Sequence, residues 1–262
     1  MGDQLTYQVA AIEITDRCLC SCPGCFSSKG SKDMSYKVFE KIIDRSPQTI
    51  TRLEISGGEP LLNKELPEMA AYASTVLAKP QIFTSGTVWN KPLAEDLASC
   101  LDAVKVTLKY PDERDDQFKH FKGSFEKATG LLRLCRGLGL KTYIQWTVER
   151  ANLGCYEQMK KLASELGAEL LVYRYMPFDG DVSKTITREE FFKLRVYPPT
   201  ECPAGVTRYC VMTSGEVTPC IYIRRGFGNL LEEPFDKIAK RMQKWRTEQG
   251  KAYQECIAYK LT

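Results

Sequence analysis

Residues 16–25 read DRCLCSCPGC and place four cysteines, Cys18, Cys20, Cys22 and Cys25, in one short stretch. A packed core has no use for such a run, and a helix would scatter the side chains around its axis. Cys18, Cys22 and Cys25 follow a C-x3-C-x2-C spacing, which leaves Cys20 as the odd member. Structural zinc prefers C-x2-C pairs met by a second pair far along the chain, and no partner pair of that spacing stands elsewhere. Three thiolates crowded into one loop suit a cubane [4Fe–4S] cluster, whose fourth iron stays open to a ligand. A second string, Gly57, Gly58, Glu59 and Pro60 in ISGGEP, ends a β-branched run. Its glycines let a ligand approach the backbone, and Glu59 could receive an ammonium group. Taken alone, that string also reads as a turn.

The remaining chain must position these two strings. Short β-branched runs alternate with helical periodicity: YQVAAIEIT, then SYKVFEKIIDRS with Val38, Phe39, Ile42 and Ile43 on one face, then ITRLEIS and LPEMAAYASTVLA. The alternation continues through PQIFTS, PLAEDLASCL, AVKVTL, SFEKATGLLRLCRGLG, KTYIQWTV, YEQMKKLASELG and ELLVYRYM, with a further helix in TREEFFKL. Ser124 reads as an N-cap and Gly137 and Gly139 as stops. Six strand–helix units imply an α/β fold with a parallel sheet, as a partial barrel or a doubly wound sheet. Functional groups in either fold gather at the C-terminal ends of the strands, where the cysteine run follows the first strand. After Thr185 the pattern gives way to the Pro-rich VYPPTECPAG, a hairpin in TRYCVMTSGEVTPCIYI and a basic amphipathic helix. The expected division is 1–184 and 185–262.

Composition narrows the function classes. The 262 residues carry a net charge of +4 and 43% hydrophobic residues. No apolar run reaches membrane length and no export signal opens the chain, so a cytoplasmic location with no membrane partner is expected. Basic residues thicken only in 237–251, on one helix, so no nucleic-acid stripe is indicated. The 11 cysteines, an odd number, point to metal or redox use rather than disulfides. His120 is the only histidine, which rules out a His-rich metal site. Cys100, Cys135 and Cys155 lie in or beside helices and read as core.

The three-cysteine string after the first strand and GGEP after the second together resemble the radical S-adenosylmethionine (radical SAM) superfamily. The resemblance covers nearly the whole chain and implies a (βα)6 partial TIM-type barrel. It implies that Cys18, Cys22 and Cys25 hold the cluster, that S-adenosylmethionine chelates the open iron, and that Gly57, Gly58, Glu59 and Pro60 bind its methionyl amino end. Thr107, in VKVTL, takes the place of a ribose-contacting hydroxyl, and Ser85 and Gly86, in FTSGT, shape the neighbouring wall. Arg174, near the end of the sixth strand, is expected to face the lumen as a catalytic candidate. One position departs from the family: the residue before the third cysteine, usually aromatic and covering the adenine, is Gly24. Phe26 is the expected substitute. The activity implied is one-electron cleavage to a 5′-deoxyadenosyl radical that removes a substrate hydrogen, with flavodoxin or ferredoxin as electron donor.

Cys202, Gly215 and Cys220 follow a C-x12-G-x4-C pattern, with Cys256 downstream. This resembles the SPASM extension or its shorter twitch relative, which implies an auxiliary [4Fe–4S] cluster on Cys202, Cys220 and Cys256. Cys210 is either a fourth ligand or a strand residue of the hairpin. Four thiolates also satisfy structural zinc. Such an architecture suggests oxidation of a small molecule, as in dehydrogenases of aminocyclitol or sugar alcohols. Peptide crosslinking, epimerisation or maturation is the alternative, and a non-catalytic iron–sulfur or zinc-stapled binding protein a more distant one. Metal analysis of anaerobically purified protein separates these: two cubanes give roughly eight irons per chain and a brown chromophore, whereas a zinc-stapled module gives zinc and no colour.

Overall fold

The computed structural model describes residues 6–27, 29–177, 181–194 and 202–249. Six strands alternate with helices in chain order: β1 (Val9–Glu13), α1 (Tyr36–Asp44), β2 (Arg52–Ser56), α2 (Leu66–Val76), β3 (Gln81–Thr84), α3 (Lys91–Ala98) and β4 (Ala103–Thr107) come first. They are followed by α4 (Arg114–Lys119), α5 (Ser124–Gly137), β5 (Lys141–Val148), α6 (Tyr156–Leu166), β6 (Glu169–Arg174) and α7 (Arg188–Leu194). The last elements are β7 (Arg208–Val211), β8 (Val217–Thr218) and α8 (Phe235–Glu248). The sheet order is β6-β5-β4-β3-β2-β1-β7-β8, an open parallel sheet with one antiparallel edge strand. This is the expected partial barrel.

Local chemistry sets these elements. In α1 the Ser35 hydroxyl accepts from the Val38 amide, while Phe39, Ile42 and Ile43 are buried against the sheet. Asn90 caps α3 the same way, accepting from the Leu93 amide at 2.9 Å. Proline stands in the first turn of α2 and α3, where its missing N–H costs nothing. The strands alternate by period two. In β5, Ile144, Trp146 and Val148 are fully buried under the helices, and Tyr143, Gln145 and Thr147 face the lumen side. The lumen floor is charged: Glu54 meets Arg208 at 3.0 Å and Lys105 at 3.8 Å.

Three expectations change. Ser124 is the first residue of α5 and not its cap; Gly123, in the left-handed region at φ 78°, is the cap. The Ser124 hydroxyl donates instead to Asp115 and Asp116. The C-terminal hairpin does not stand apart from the barrel. β7 pairs in parallel with β1, Val9 opposite Arg208, and so extends the barrel's own sheet. Finally, Arg174 is in register with Val148 on the helix-covered face, and its Nε donates to the Ile186 carbonyl at 3.0 Å. One position along a strand reverses the face, so Tyr173 and not Arg174 is on the lumen side of β6.

The β7 docking is packed as a core. Tyr209 is fully buried, 5.6 Å from the Tyr7 ring and 4.6 Å from Phe235, and its hydroxyl donates to Ser46 Oγ at 2.9 Å. Tyr209→Ala should therefore lose about 3–5 kcal/mol of stability, and Tyr209→Phe only about 1–2 kcal/mol. Denaturant unfolding checks this; two separate transitions in the wild-type chain would show that β7 is not part of the barrel's cooperative unit.

Candidate active site

The cysteine loop leaves the C-terminal end of β1 and is clamped at its base. Arg17 reaches Asp33 through Nε at 2.9 Å and Nη2 at 2.7 Å, and Nη2 also donates to the Leu62 carbonyl. Asn63, buried, donates to the Ile14 and Met34 carbonyls at 3.0 and 2.9 Å. These residues join the stem of the cysteine loop to the turn after GGEP.

The two loops also touch backbone to backbone. Gly58 N donates to Thr15 O at 2.8 Å and Glu59 N to Arg17 O at 2.7 Å. A Cβ on Gly57 would lie 2.4 Å from Thr15 O, and one on Gly58 would lie 2.3 Å from Arg17 O. Gly57 also has φ +145°, which side chains rarely adopt. The glycines expected to admit a ligand therefore admit the cysteine loop itself.

Glu59 is fully buried, and its carboxylate already has four donors. These are the Leu61 amide, Thr84 Oγ1 at 2.6 Å, the Ser85 amide at 2.8 Å and the Ser85 hydroxyl. Burial raises its pKa and these donors oppose the rise. Its role here is to bind the ends of β2 and β3 together. Pro60 opens the short 3-10 turn that Glu59 caps. Beyond β3, Ser85 Oγ lies 2.8 Å from Thr87 Oγ1, and Gly86 (φ +70°) packs on α5, where a Cβ would meet Ala128 Cα. Thr107 ends β4 on the lumen side, opposite Gln145.

A buried cation ties these strand ends. Lys119 Nζ pairs with Asp115 at 2.7 Å and donates to the carbonyls of Thr107 at 2.8 Å and Ser85 at 3.2 Å. Its own carbonyl accepts from Ser21 N of the cysteine loop at 2.8 Å. Lys109, also buried, pairs with Glu149 at 2.9 Å. Neither lysine stands out in the sequence, where each is one of many.

Cys20 is buried and hydrogen-bonded to Cys18 and Cys22, with Thr87 and Ser85 behind it. Those bonds stabilise Cys20 as the thiolate, and the same bonds push the Cys18 and Cys22 thiols well up. Cys25 is exposed at the rim. Cys20 thus packs on the turn after β3, its Sγ 3.8 Å from Thr87 Oγ1, while Cys18 and Cys22 are half-buried. Thiols gathered in one loop are the soft donors that an iron–sulfur cluster takes, and its ligands must be deprotonated.

Phe26 packs edge-on against Tyr222 of the C-terminal segment, with ring centroids 5.3 Å apart. It does not fill the space in front of Gly24, which Tyr175 occupies. Two more links join the cysteine loop region to that segment: Thr213 Oγ1 donates to Asp16 at 2.7 Å, and Arg224 forks onto buried Glu13 at 2.5 and 3.0 Å. Cys202, Cys210 and Cys220 are all buried there. Cys210 lies on β7 opposite Thr218 of β8, two residues before Cys220. Burial holds the Cys210 and Cys220 thiols protonated; a metal binding there would release protons. These donors fit an auxiliary cluster. Cys256 lies outside the described residues. His120 is exposed and closes α4 in the left-handed region.

The loop contact yields a test. Gly58→Ala should cut the iron content of reconstituted protein by roughly half, the share of one cubane in two. Gly137→Ala, where a Cβ meets nothing within 4 Å, should leave it unchanged. Full iron in Gly58→Ala would show that the loops can separate without loss of the site.

Comparison with known proteins places this geometry. The profile of the radical SAM superfamily matches residues 12–163, and that of the SPASM iron–sulfur cluster-binding domain matches residues 202–258. Fe-coproporphyrin III synthase of Methanosarcina barkeri is 27% identical over 191 residues, covering 69% of this chain and 47% of that protein. PqqA peptide cyclase of Granulibacter bethesdensis is 25% identical over 223 residues, covering 81% and 59%. The chain thus spans about half the length of the curated relatives it matches. Among solved structures, Streptococcus suis SuiB bound to S-adenosylmethionine superposes with a TM-score of 0.71 at 15% identity, over 92% of this chain and 66% of that one. The anSMEcpe structure with bound AdoMet and Cp18Cys peptide also gives 0.71, at 13% identity over 90% and 82%. These likenesses show the fold, and the two domain matches imply a radical SAM [4Fe–4S] cluster, auxiliary cluster binding and S-adenosylmethionine. With the cysteine loop, GGEP and the C-terminal cysteines in the family's order on the family's fold, this chain belongs to the radical SAM superfamily and carries a SPASM iron–sulfur domain after the barrel.

Proposed function

We propose that this chain modifies a peptide by radical SAM chemistry, rather than oxidising a small alcohol as its cysteine architecture first suggests. The observation that carries the proposal is the docking of the C-terminal segment on the cysteine loop, through Thr213–Asp16, Arg224–Glu13 and Tyr222–Phe26. It places β7, which carries Cys210, next to β1, from which the cysteine loop leaves. Support for a peptide comes from the relatives: PqqA peptide cyclases, SuiB bound to precursor peptide SuiA, and anSMEcpe with Cp18Cys peptide. BtrN, in complex with AdoMet and 2-DOIA, superposes less well, with a TM-score of 0.55.

In this reading Cys18, Cys22 and Cys25 hold the radical SAM cluster, and Cys202, Cys210, Cys220 and Cys256 supply the auxiliary site in 185–262. When bound, the cluster and S-adenosylmethionine supply a one-electron cleavage that produces a hydrogen-abstracting radical. The chain's own residues do the positioning. The glycine-mediated contact fixes the cysteine loop over the strand ends, Glu59 and Lys119 keep those ends in register, and the backbone of 57–60 faces the methionyl end. Thr107 and Ser85 lie on the wall beside it, and the covering helices and extension keep water out. An electron donor of the flavodoxin or ferredoxin class supplies the reducing electron.

Anaerobically reconstituted protein with reductant and S-adenosylmethionine should form 5′-deoxyadenosine, and Cys18→Ala or Cys22→Ala should abolish it. Cys202→Ala should spare that cleavage while blocking product formation. A peptide encoded beside the gene should lose two hydrogens on crosslinking, or take up solvent deuterium on epimerisation, as read by mass spectrometry. Turnover of aminocyclitols or sugar alcohols with no change in any such peptide would overturn the peptide reading.

A further inference from the structure

Two of the side chains that hold the cysteine loop are buried, and they differ in charge. Asn63, at the stem, donates its neutral amide to the carbonyls of Ile14 and Met34. Lys119, the last residue of α4, holds the middle. Its backbone carbonyl accepts from the amide of Ser21, the residue between Cys20 and Cys22, at 2.8 Å. Its ammonium donates to the carbonyls of Thr107 and Ser85 at 2.8 and 3.2 Å. Bridging two carbonyls is thus done by an amide at one place and by a full charge at the other.

The charge is costly where it stands. The Lys119 side chain is 2% exposed, and that of Asp115, 2.7 Å away, is fully buried. Taking two ions out of water is expensive, and their mutual attraction often does no more than offset that cost. A neutral side chain holds two carbonyls without it, as Asn63 does. The pair also has a direction. The ammonium lies against Ser85, whose hydroxyl is 2.8 Å from Thr87 Oγ1, and that oxygen is 3.8 Å from Cys20 Sγ. The carboxylate is turned to other partners, accepting from the Lys109 amide at 2.7 Å and from the Ser124 hydroxyl, at the start of α5, at 3.1 Å. The positive end therefore lies on the side of the cysteine loop. The Cys22 thiol is pushed up by its bond to Cys20 and by burial, and the Lys119 charge opposes that rise.

Building on the reading that this loop holds an iron–sulfur cluster, we propose that Lys119, with Asp115 as its fixed counter-charge, sets the reduction potential of that cluster. A reduced cluster carries one more negative charge than an oxidised one, so a buried cation beside its loop favours the reduced form. Such a charge acts strongly in an interior of low effective dielectric, and salt screens it little. Cluster potentials respond to the net charge and hydrogen bonding around the sulfurs. One electron leaves a donor of the flavodoxin or ferredoxin class and enters the cluster; no bond at Lys119 forms or breaks. Lys119 acts through the cluster and is not itself a catalytic residue.

The test is a redox titration of anaerobically reconstituted full-length protein at neutral pH, followed by electron paramagnetic resonance. The signal lost in Cys18→Ala identifies the cluster of this loop. Lys119→Met removes the charge at similar length and should make that cluster about tenfold harder to reduce, a fall of about 59 mV for one electron. Asp115→Asn removes the opposing charge and should shift the potential upward. A purely structural pair would give shifts of one sign or none, because both variants break the same contact. Unshifted potentials in both variants, or shifts in the same direction, would overturn the proposal. Should Lys119→Met alone fail to retain iron, Asp115→Asn decides: a rise supports the role, and a fall or no change overturns it. Loss of iron in both variants would show a structural tie instead and overturn it as well. Wild-type protein that takes up no iron would refute the cluster reading itself, whereas iron-loaded wild type beside unshifted variants would refute this proposal only.

Discussion

The structure depends on a contact between two backbones. The loop after β2 and the loop after β1 approach so closely that neither Gly57 nor Gly58 can carry a side chain without striking Thr15 or Arg17. Two hydrogen bonds, Gly58 to Thr15 and Glu59 to Arg17, close the seam. Because both loops leave neighbouring parallel strands, this seam turns the position of the cysteines into a property of the sheet. Arg17 and Asn63 add side-chain ties on either side of it. A cluster loop held this way is preorganised, and preorganised donors need little rearrangement when a ligand arrives.

Around the seam the protein buries charge in pairs. Lys119 with Asp115, Lys109 with Glu149 and Glu54 with Arg208 are all largely withdrawn from solvent. Removing one partner from such a pair typically costs about 3–5 kcal/mol, while an exposed pair such as Lys160–Glu157 contributes about 0–1 kcal/mol. The buried pairs sit at strand ends and in the lumen, where carbonyls and loops must be held in place. Lys160–Glu157 lies on the surface of α6, whereas the partly exposed Arg17–Asp33 pair stands at the base of the cysteine loop.

Much of this was legible in the sequence because it is local. The strand–helix alternation follows from apolar periodicity, and the C-x3-C-x2-C and GGEP strings from residue types at fixed spacing. What was not legible depends on register or on distant partners. Arg174 and Tyr175 are adjacent, and only strand pairing decides which of them looks inward. Glu59 reads in the sequence as a lone carboxylate, and the donors around it, Thr84 and Ser85, come from the end of the next strand. The filling of the space before Gly24 comes from 151 residues away in sequence, between Gly24 and Tyr175, and no composition rule reaches that far. Cys20 is set apart from the other cysteines of the loop by its burial against Thr87, which spacing alone does not show.

The parallel pairing of β1 with β7 has a consequence in time. Val9 finds Arg208, and Tyr7 finds the Gly205 carbonyl, only when nearly the whole chain exists. During synthesis from the N-terminus, the first strand carries an open edge while the five strands β2 to β6 form on its other side. Such sequence-distant closure is slow, and an unpaired edge is prone to wrong partners. The cysteine loop is thus made early and covered late. The nascent protein passes through an interval in which its first metal site is accessible from the side that the C-terminal segment later seals.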